Sequence, residues 1–112
     1  MARTTFSGPV VSQNGFISGT GSATITKVLT ATATLNFPSI SAVSQADLTI
    51  TVTGAAVGDE VMMSLPAAPA AGLVFNAFVS AANTVTIRAS NITASPVDAA
   101  SASYGVIVVA AA

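Results

Sequence analysis

Residues 47–53, Asp-Leu-Thr-Ile-Thr-Val-Thr, alternate strictly between polar and apolar side chains. Successive side chains of a β-strand point to opposite faces, so Leu48, Ile50 and Val52 would face one side of a sheet and the threonines the other. Short runs of the same kind follow one another along the chain from residue 22. No segment sustains the 3.6-residue apolar period of a helix. The chain is therefore predicted to be all-β.

Other segments predict further strands, because each is a short apolar or alternating run that ends at glycine, proline or asparagine. They are residues 24–34, 60–65, 73–80, 84–90 and 103–109. Residues 73–80 are apolar on both faces except at Asn76, which is typical of a central strand covered on both sides. Six to eight strands at this spacing predict an antiparallel β-sandwich, with a jelly-roll or an immunoglobulin-like strand order. In the alanine-rich stretches 67–71 and 99–102 we expect at most a single helical turn.

The first 20 residues differ from the rest of the chain. They hold three of the eight glycines and one of the five prolines. Their apolar residues follow no period, and they are Phe6, Val10, Val11, Phe16 and Ile17. Such a segment has apolar anchors but no core of its own. We therefore predict an extended N-terminal arm, residues 1–20, that docks on another surface, followed by a β-sandwich domain, residues 21–112.

Charged side chains are scarce in this chain. They make up 6% of the residues, with a net charge of −1, whereas globular domains average about 25%. A surface with so little charge repulsion favours association, so we expect a homo-oligomer. No basic cluster is present that could neutralise phosphates, which argues against nucleic-acid binding. No apolar run approaches the roughly 20 residues of a membrane helix, so no membrane partner is expected.

Arg88 is the one charged residue of a strand-like run, and Asn91-Ile92-Thr93 follows it with the spelling of an N-glycosylation acceptor. Two interpretations of Arg88 stay open: a solvated strand residue, or one half of an ion pair between subunits. Its candidate acidic partners are Asp98, Asp59 and Glu60. Asn91 is interpreted as the residue that ends the strand, because its side chain can cap its own turn.

Candidate catalytic and metal sites are weak. Asp59 and Glu60 would point to opposite faces of a strand, and a calcium site would need several more oxygen ligands. The chain has no histidine and no cysteine, which are the commonest general base and thiol nucleophile. Gly19 and Gly21 precede no helix and cannot form a phosphate loop. We predict a protein that is not an enzyme and has no metal and no cofactor.

The alternation of residues in the predicted strand 73–80 leads to a prediction about assembly. Phe75 would point to one face, while Val74 and Phe78 would point to the other. In a two-sheet sandwich only one of these faces meets the core. We therefore place Phe75 in the core, and Val74 and Phe78 at a subunit interface that also includes Arg88.

Two stretches resemble proteins of tailed bacteriophages. Residues 3–16, RTTFSGPVVSQNGF, look like the N-terminal segment of small virion proteins that are encoded beside capsid genes. Residues 48–109 are similar to a β-module that recurs in phage structural proteins. The shared features are a Gly-Asp after a Gly-Ala turn, a "P…GLVF" step, the segment "VSAANTVTIRASNIT" and a final apolar strand.

This resemblance implies a capsid decoration, or cement, protein. Such proteins typically form trimers on the outer face of the phage head and brace the major capsid protein. The chain would then be assembled in the host cytoplasm and reside on the capsid surface of the virion. The part of the arm that lies along the shell would comprise Arg3, Phe6, Pro9, Val10 and Phe16.

Two alternative functions remain. One is a head-fibre, neck or tail protein of the same kind of virus. The other is a carbohydrate-binding sandwich, which is disfavoured because the chain has no tryptophan and one tyrosine. Phe75 and Phe78 would also lie on opposite faces, so they could not line one sugar groove.

Overall fold

A computed structural model describes residues 3–111 and shows, within that range, seven strands and no helix. The strands are β1 (Phe16–Ile17), β2 (Thr24–Leu35), β3 (Gln45–Thr51), β4 (Glu60–Ser64), β5 (Leu73–Ala81), β6 (Thr84–Asn91) and β7 (Ala102–Ala111). The prediction of an all-β fold is confirmed. The alanine-rich stretches 67–71 and 99–102 form no helical turn. Residues 1, 2 and 112 of the predicted arm and sandwich lie outside the described residues.

The strands form two antiparallel sheets, which we name sheet I (order β1-β2-β7-β4) and sheet II (order β3-β6-β5). The pairing is nested: β2 pairs with β7, and between them in sequence β3 pairs with β6. From β2 to β5 the chain changes sheet at every connection. This nested pairing, with alternation between the sheets from β2 to β5, resembles the strand order of a jelly roll with fewer than its usual eight strands.

The core lies between the two sheets and is built on the two central strands. From β7 it takes Tyr104, Val106 and Val108, and from β6 it takes Val85, Ile87 and Ala89. Each of these side chains alternates with an outward-facing neighbour, as the sequence pattern predicts. Of the residues that the structure describes, none before Leu29 belongs to the core. The sandwich therefore builds its core without the arm.

Three aromatic rings join the sheets at one end of the core. Phe37, Phe75 and Tyr104 have centroid separations of 5.8–5.9 Å, which is the normal range for favourable aromatic pairs. The placement of Phe75 in the core is thus confirmed. The prediction that residues 73–80 form a central strand is wrong, since β5 is an edge strand that pairs with β6 alone. Its second apolar face is open because no element of the described chain covers it.

The arm makes the molecule elongated. The principal extents are 58 × 27 × 24 Å and the radius of gyration is 17.7 Å, against about 13 Å for a compact domain of this length. Residues 3–15 belong to no strand and are exposed, except for Gly15. β1 then pairs with Ile25 and Thr24 at the start of β2. Gly15 turns the chain there with φ 83°, and an added Cβ would collide with the carbonyl oxygen of Ile25.

Candidate interaction surfaces

Arg88 and Asp47 form a two-bond ion pair on the outer face of sheet II. They lie opposite each other in the β3–β6 register. Nε of Arg88 donates to Oδ1 of Asp47 at 2.9 Å, and Nη2 donates to Oδ2 at 3.0 Å. This hydrogen bonding lowers the pKa of Asp47 below its ordinary value and raises the pKa of Arg88. The acidic partner of Arg88 is therefore Asp47 of its own chain, and none of the three acids considered from the sequence.

The same guanidinium lies over the ring of Phe78. Its central carbon is 5.1 Å from the ring centroid, within the range of a cation–π interaction. Phe78 nevertheless stays 36% exposed and Val74 53% exposed, both on the outer face of β5. Val74, Phe78 and Arg88 thus lie on one surface, which was predicted from the sequence to be a subunit interface; that role stays a prediction. On that surface Arg88 already has two partners within its own chain.

The outer face of sheet I carries an apolar patch, defined here as Val28, Met62, Ile107 and Val109. In the strand register Val28 lies opposite Val109, and Met62 lies opposite Ile107. Val28, Met62 and Ile107 are 60%, 58% and 40% exposed. The patch therefore spans three adjacent strands, β2, β7 and β4. It was not recognised from the sequence, because its members come from three distant segments that only the strand pairing brings together.

A depression of about 280 Å³ adjoins the apolar patch. It lies over Gly105, which has Thr32 and Ser64 as its neighbours across the two ladders. Ile107 and Met62 form part of its wall. A Cβ added at Gly105 would meet Thr32 Cγ2 at 3.4 Å and Ser64 Cβ at 3.5 Å, which are ordinary contacts. The depression exists because this position of β7 has no side chain.

The predicted arm residues are exposed in the structure. Phe6, Val10 and Phe16 are 65%, 61% and 55% exposed, and Arg3 and Pro9 are exposed as well. Val10 and Phe16 lie beside Val28 around a shallow cavity at the start of β2. The apolar side chains of the arm therefore continue the apolar surface of sheet I.

Asn91 is a buried polar residue that makes more hydrogen bonds than the predicted turn requires. Its side-chain oxygen accepts from the backbone N–H of Thr93 at 2.8 Å, which confirms the turn. Its amide also donates to three backbone carbonyl groups, those of Ile40, Ser41 and Ser95. The side chain is 2% exposed. Since this amide nitrogen is buried and fully hydrogen-bonded, the folded protein cannot present it as a glycan acceptor.

Asp59 and Glu60 act locally. Asp59 closes a turn, accepting from the N–H of Ala56 at 3.0 Å and donating its own N–H to the carbonyl of Ala56. Glu60 begins the edge strand β4. In the described part of the chain, no three potential metal-ligating residues come together. Asp59 therefore has a structural role in its turn.

No protein-family model, curated protein or solved structure matches this chain. Across residues 3–111, no helix has the length and apolar character needed to cross a membrane. The fold and the surfaces described above define a β-sandwich with an apolar arm and two contrasting sheet faces.

Proposed function

We propose that this chain is a capsid decoration protein of a tailed bacteriophage. It binds the major capsid protein on the outer face of the head, forms a trimer and stabilises the shell without catalysing a reaction. The resemblance of residues 3–16 and 48–109 to phage virion proteins supports this function. The all-β sandwich and the low content of charge agree with it.

The observation that carries the proposal is the exposed arm. Phe6, Val10 and Phe16 leave more than half of their surface in water. Burying such a side chain is worth about 1.5–3 kcal/mol relative to full exposure. An extended segment with several of these anchors binds well along a partner surface. On a shell, many such contacts act together, so each single contact can be weak.

The sandwich can serve as an independent body to which the arm is attached. Within the described part of the arm, residues 3–20, no residue belongs to the buried core. The arm is joined to the sandwich through two residue pairs between β1 and β2. Removal of the arm is therefore expected to leave the sandwich folded.

Deletion of residues 2–19 tests the role of the arm. The truncated protein should melt cooperatively, keep its β-type circular dichroism spectrum and lose co-sedimentation with heads built from the major capsid protein of the same virus. Normal head binding by the truncated protein, or its failure to fold, would contradict the proposal.

Point variants sharpen this test. The triple variant Phe6→Ala, Val10→Ala, Phe16→Ala removes the apolar anchors and should also lose binding. The matched control Thr4→Ala, Ser7→Ala, Gln13→Ala changes three exposed polar residues of the same arm and should bind like the unmodified chain. Equal binding by the two variants would mean that the apolar anchors are not the contact.

The number of copies per virion distinguishes a decoration protein on the head from a neck, tail or head-fibre protein. Quantitative mass spectrometry of purified virions should find hundreds of copies of a decoration protein. A dozen copies or fewer would indicate a neck, tail or head-fibre protein instead. The carbohydrate-binding alternative is weakened because Tyr104 is buried and Phe75 faces the core.

A further inference from the structure

The apolar patch on sheet I is contiguous. Each of its members borders another member across a strand ladder: Val28 beside Val109, and Ile107 beside Met62. The other outward-facing positions along these strands are polar or small: Thr30, Thr32, Thr34, Ser64, Ser103 and Gly105. With a strand spacing of about 4.8 Å and a rise of about 3.3 Å per residue, the patch itself covers on the order of 200 Å² before side-chain relief is counted. The patch is therefore the apolar part of a larger face of threonine, serine and glycine.

The low charge of the outer face of sheet I indicates which kind of partner this face can bind. In the described structure, β2, β7 and β4 carry two charged side chains, Lys27 beside Val28 and Glu60 opposite Val109. Residues near the symmetry axis of a closed homo-oligomer lie close to their equivalents in the other copies, so a face with many like charges there would repel its own copies. A basic or acidic partner, by contrast, would find almost no complementary charge here. A nearly uncharged face suits a second copy of the same chain.

The shape of this face also favours a second copy of the chain as the partner. The depression over Gly105 and the exposed side chains of Met62 and Ile107 occur on one face. Its volume of about 280 Å³ is several times the roughly 30 Å³ that one water molecule occupies in the liquid. It can therefore receive an apolar side chain from a neighbouring copy. A surface that has both projections and a recess can be complementary to itself.

The opposite face is less suited to this role. On sheet II the exposed aromatic ring of Phe78 is partly shielded by Arg88, and Arg88 is held by Asp47. We propose that copies of this chain contact one another through the apolar patch and the depression of sheet I, rather than through the Val74 and Phe78 face of sheet II. This inference rests on the self-association included in the proposed function, and it names the surface responsible.

The test uses the purified full-length chain alone, by light scattering and sedimentation at micromolar concentration. Ile107→Asp places a charge in the centre of the patch and should raise the dissociation constant of the oligomer at least tenfold. Thr49→Asp introduces the same charge at an exposed position of sheet II and should leave the oligomer intact, as should Phe78→Asp. Circular dichroism verifies that each variant is folded.

A second variant decides the outcome if Ile107→Asp fails to fold. Gly105→Leu fills the depression from within at a position with ordinary Cβ contacts, and it should weaken the oligomer in the same way. An intact oligomer in Gly105→Leu and Ile107→Asp would overturn the inference. Dissociation by Phe78→Asp alone would overturn it in favour of sheet II. A monomeric unmodified chain would refute self-association itself, while head binding through the arm would remain a separate result.

Discussion

Asp47 and Arg88 lie 41 residues apart in sequence and directly opposite each other on adjacent strands, joined by two side-chain hydrogen bonds of 2.9 and 3.0 Å. The paired geometry requires the fork of a guanidinium and the two oxygens of an ionised carboxylate. A shift of β3 by one residue would move Asp47 to the other face of sheet II. The pair therefore favours the observed register between an edge strand and the central strand β6.

Asp47→Asn should make stability less sensitive to acid. Because the hydrogen bonds from Arg88 lower the pKa of Asp47 in the folded state, the pair stabilises the protein above the ordinary aspartate pKa near 4. This contribution is lost as the pH falls through the lowered pKa of the folded state. The melting temperature of the variant should be below that of the unmodified chain at pH 7, and the difference should shrink toward pH 2.

Asp98→Asn is the matched control for this prediction, because Asp98 is an exposed acid outside the strands. Its melting temperature at pH 7 should stay close to that of the unmodified chain. A deficit of Asp47→Asn that is equally large at pH 2 and pH 7 would mean that the ionised pair is not its cause.

Phe75→Ala should destabilise the protein by about 3 kcal/mol, because it removes one ring from the aromatic cluster of the core and leaves a cavity. Phe75 contacts the core beside Phe37 and Tyr104. Phe78→Ala removes the same ring from the same strand, but from its open face, and should cost clearly less. Urea denaturation measures both free energies of unfolding. Equal costs would show that the two faces of β5 are buried alike.

Asn91→Ala should cost about 3 kcal/mol or more. The substitution leaves three backbone carbonyl groups near the sandwich end without their donor, and unsatisfied buried groups cost about 1–3 kcal/mol each. Asn36→Ala is the control at an exposed asparagine and should change the urea midpoint little. A small effect of Asn91→Ala would mean that water replaces the amide at this site.

Gly15→Ala should detach β1 from β2. A methyl group at this position meets the carbonyl oxygen of Ile25, and the φ of 83° disfavours any residue with a Cβ. Hydrogen exchange should become faster at the amides of Phe16 and Ile17, while the core amides stay protected. Gly8→Ala adds a methyl group in open space and should leave exchange unchanged. Unaltered protection of β1 in Gly15→Ala would contradict this account.

The strands themselves could be predicted from the sequence, because alternation is a local property. Residues 47–53 and 84–90 show it, and both segments coincide with observed strands to within two residues at each end. The facing of Phe75 and Phe78 also followed from alternation alone. The fold class was therefore accessible without any knowledge of the pairing.

The sequence does not show which distant strands pair. The wrong predictions, for the partner of Arg88 and for the position of β5, arose from this. Nothing local to Arg88 indicates that β3 is its neighbour, so Asp47 was not considered as its partner. β5 was assigned a central place because two apolar faces look alike whether they are covered by protein or left open. Asn91 showed its local turn in the sequence, but its bonds to Ile40 and Ser41 depend on a loop 50 residues away.

The pairing of β2 with β7 also determines when the molecule can fold during its synthesis. β7 is the last of the seven strands to leave the ribosome, yet it is the central strand of sheet I, between β2 and β4. Until Ala102–Ala111 emerges, both neighbours lack their hydrogen-bonding partner and their apolar faces remain open. Folding is therefore expected only after β7 has emerged from the ribosome, on the millisecond-to-second timescale of folds dominated by long-range strand pairing. A fragment that ends before β7 should accumulate as aggregate rather than as a smaller sandwich.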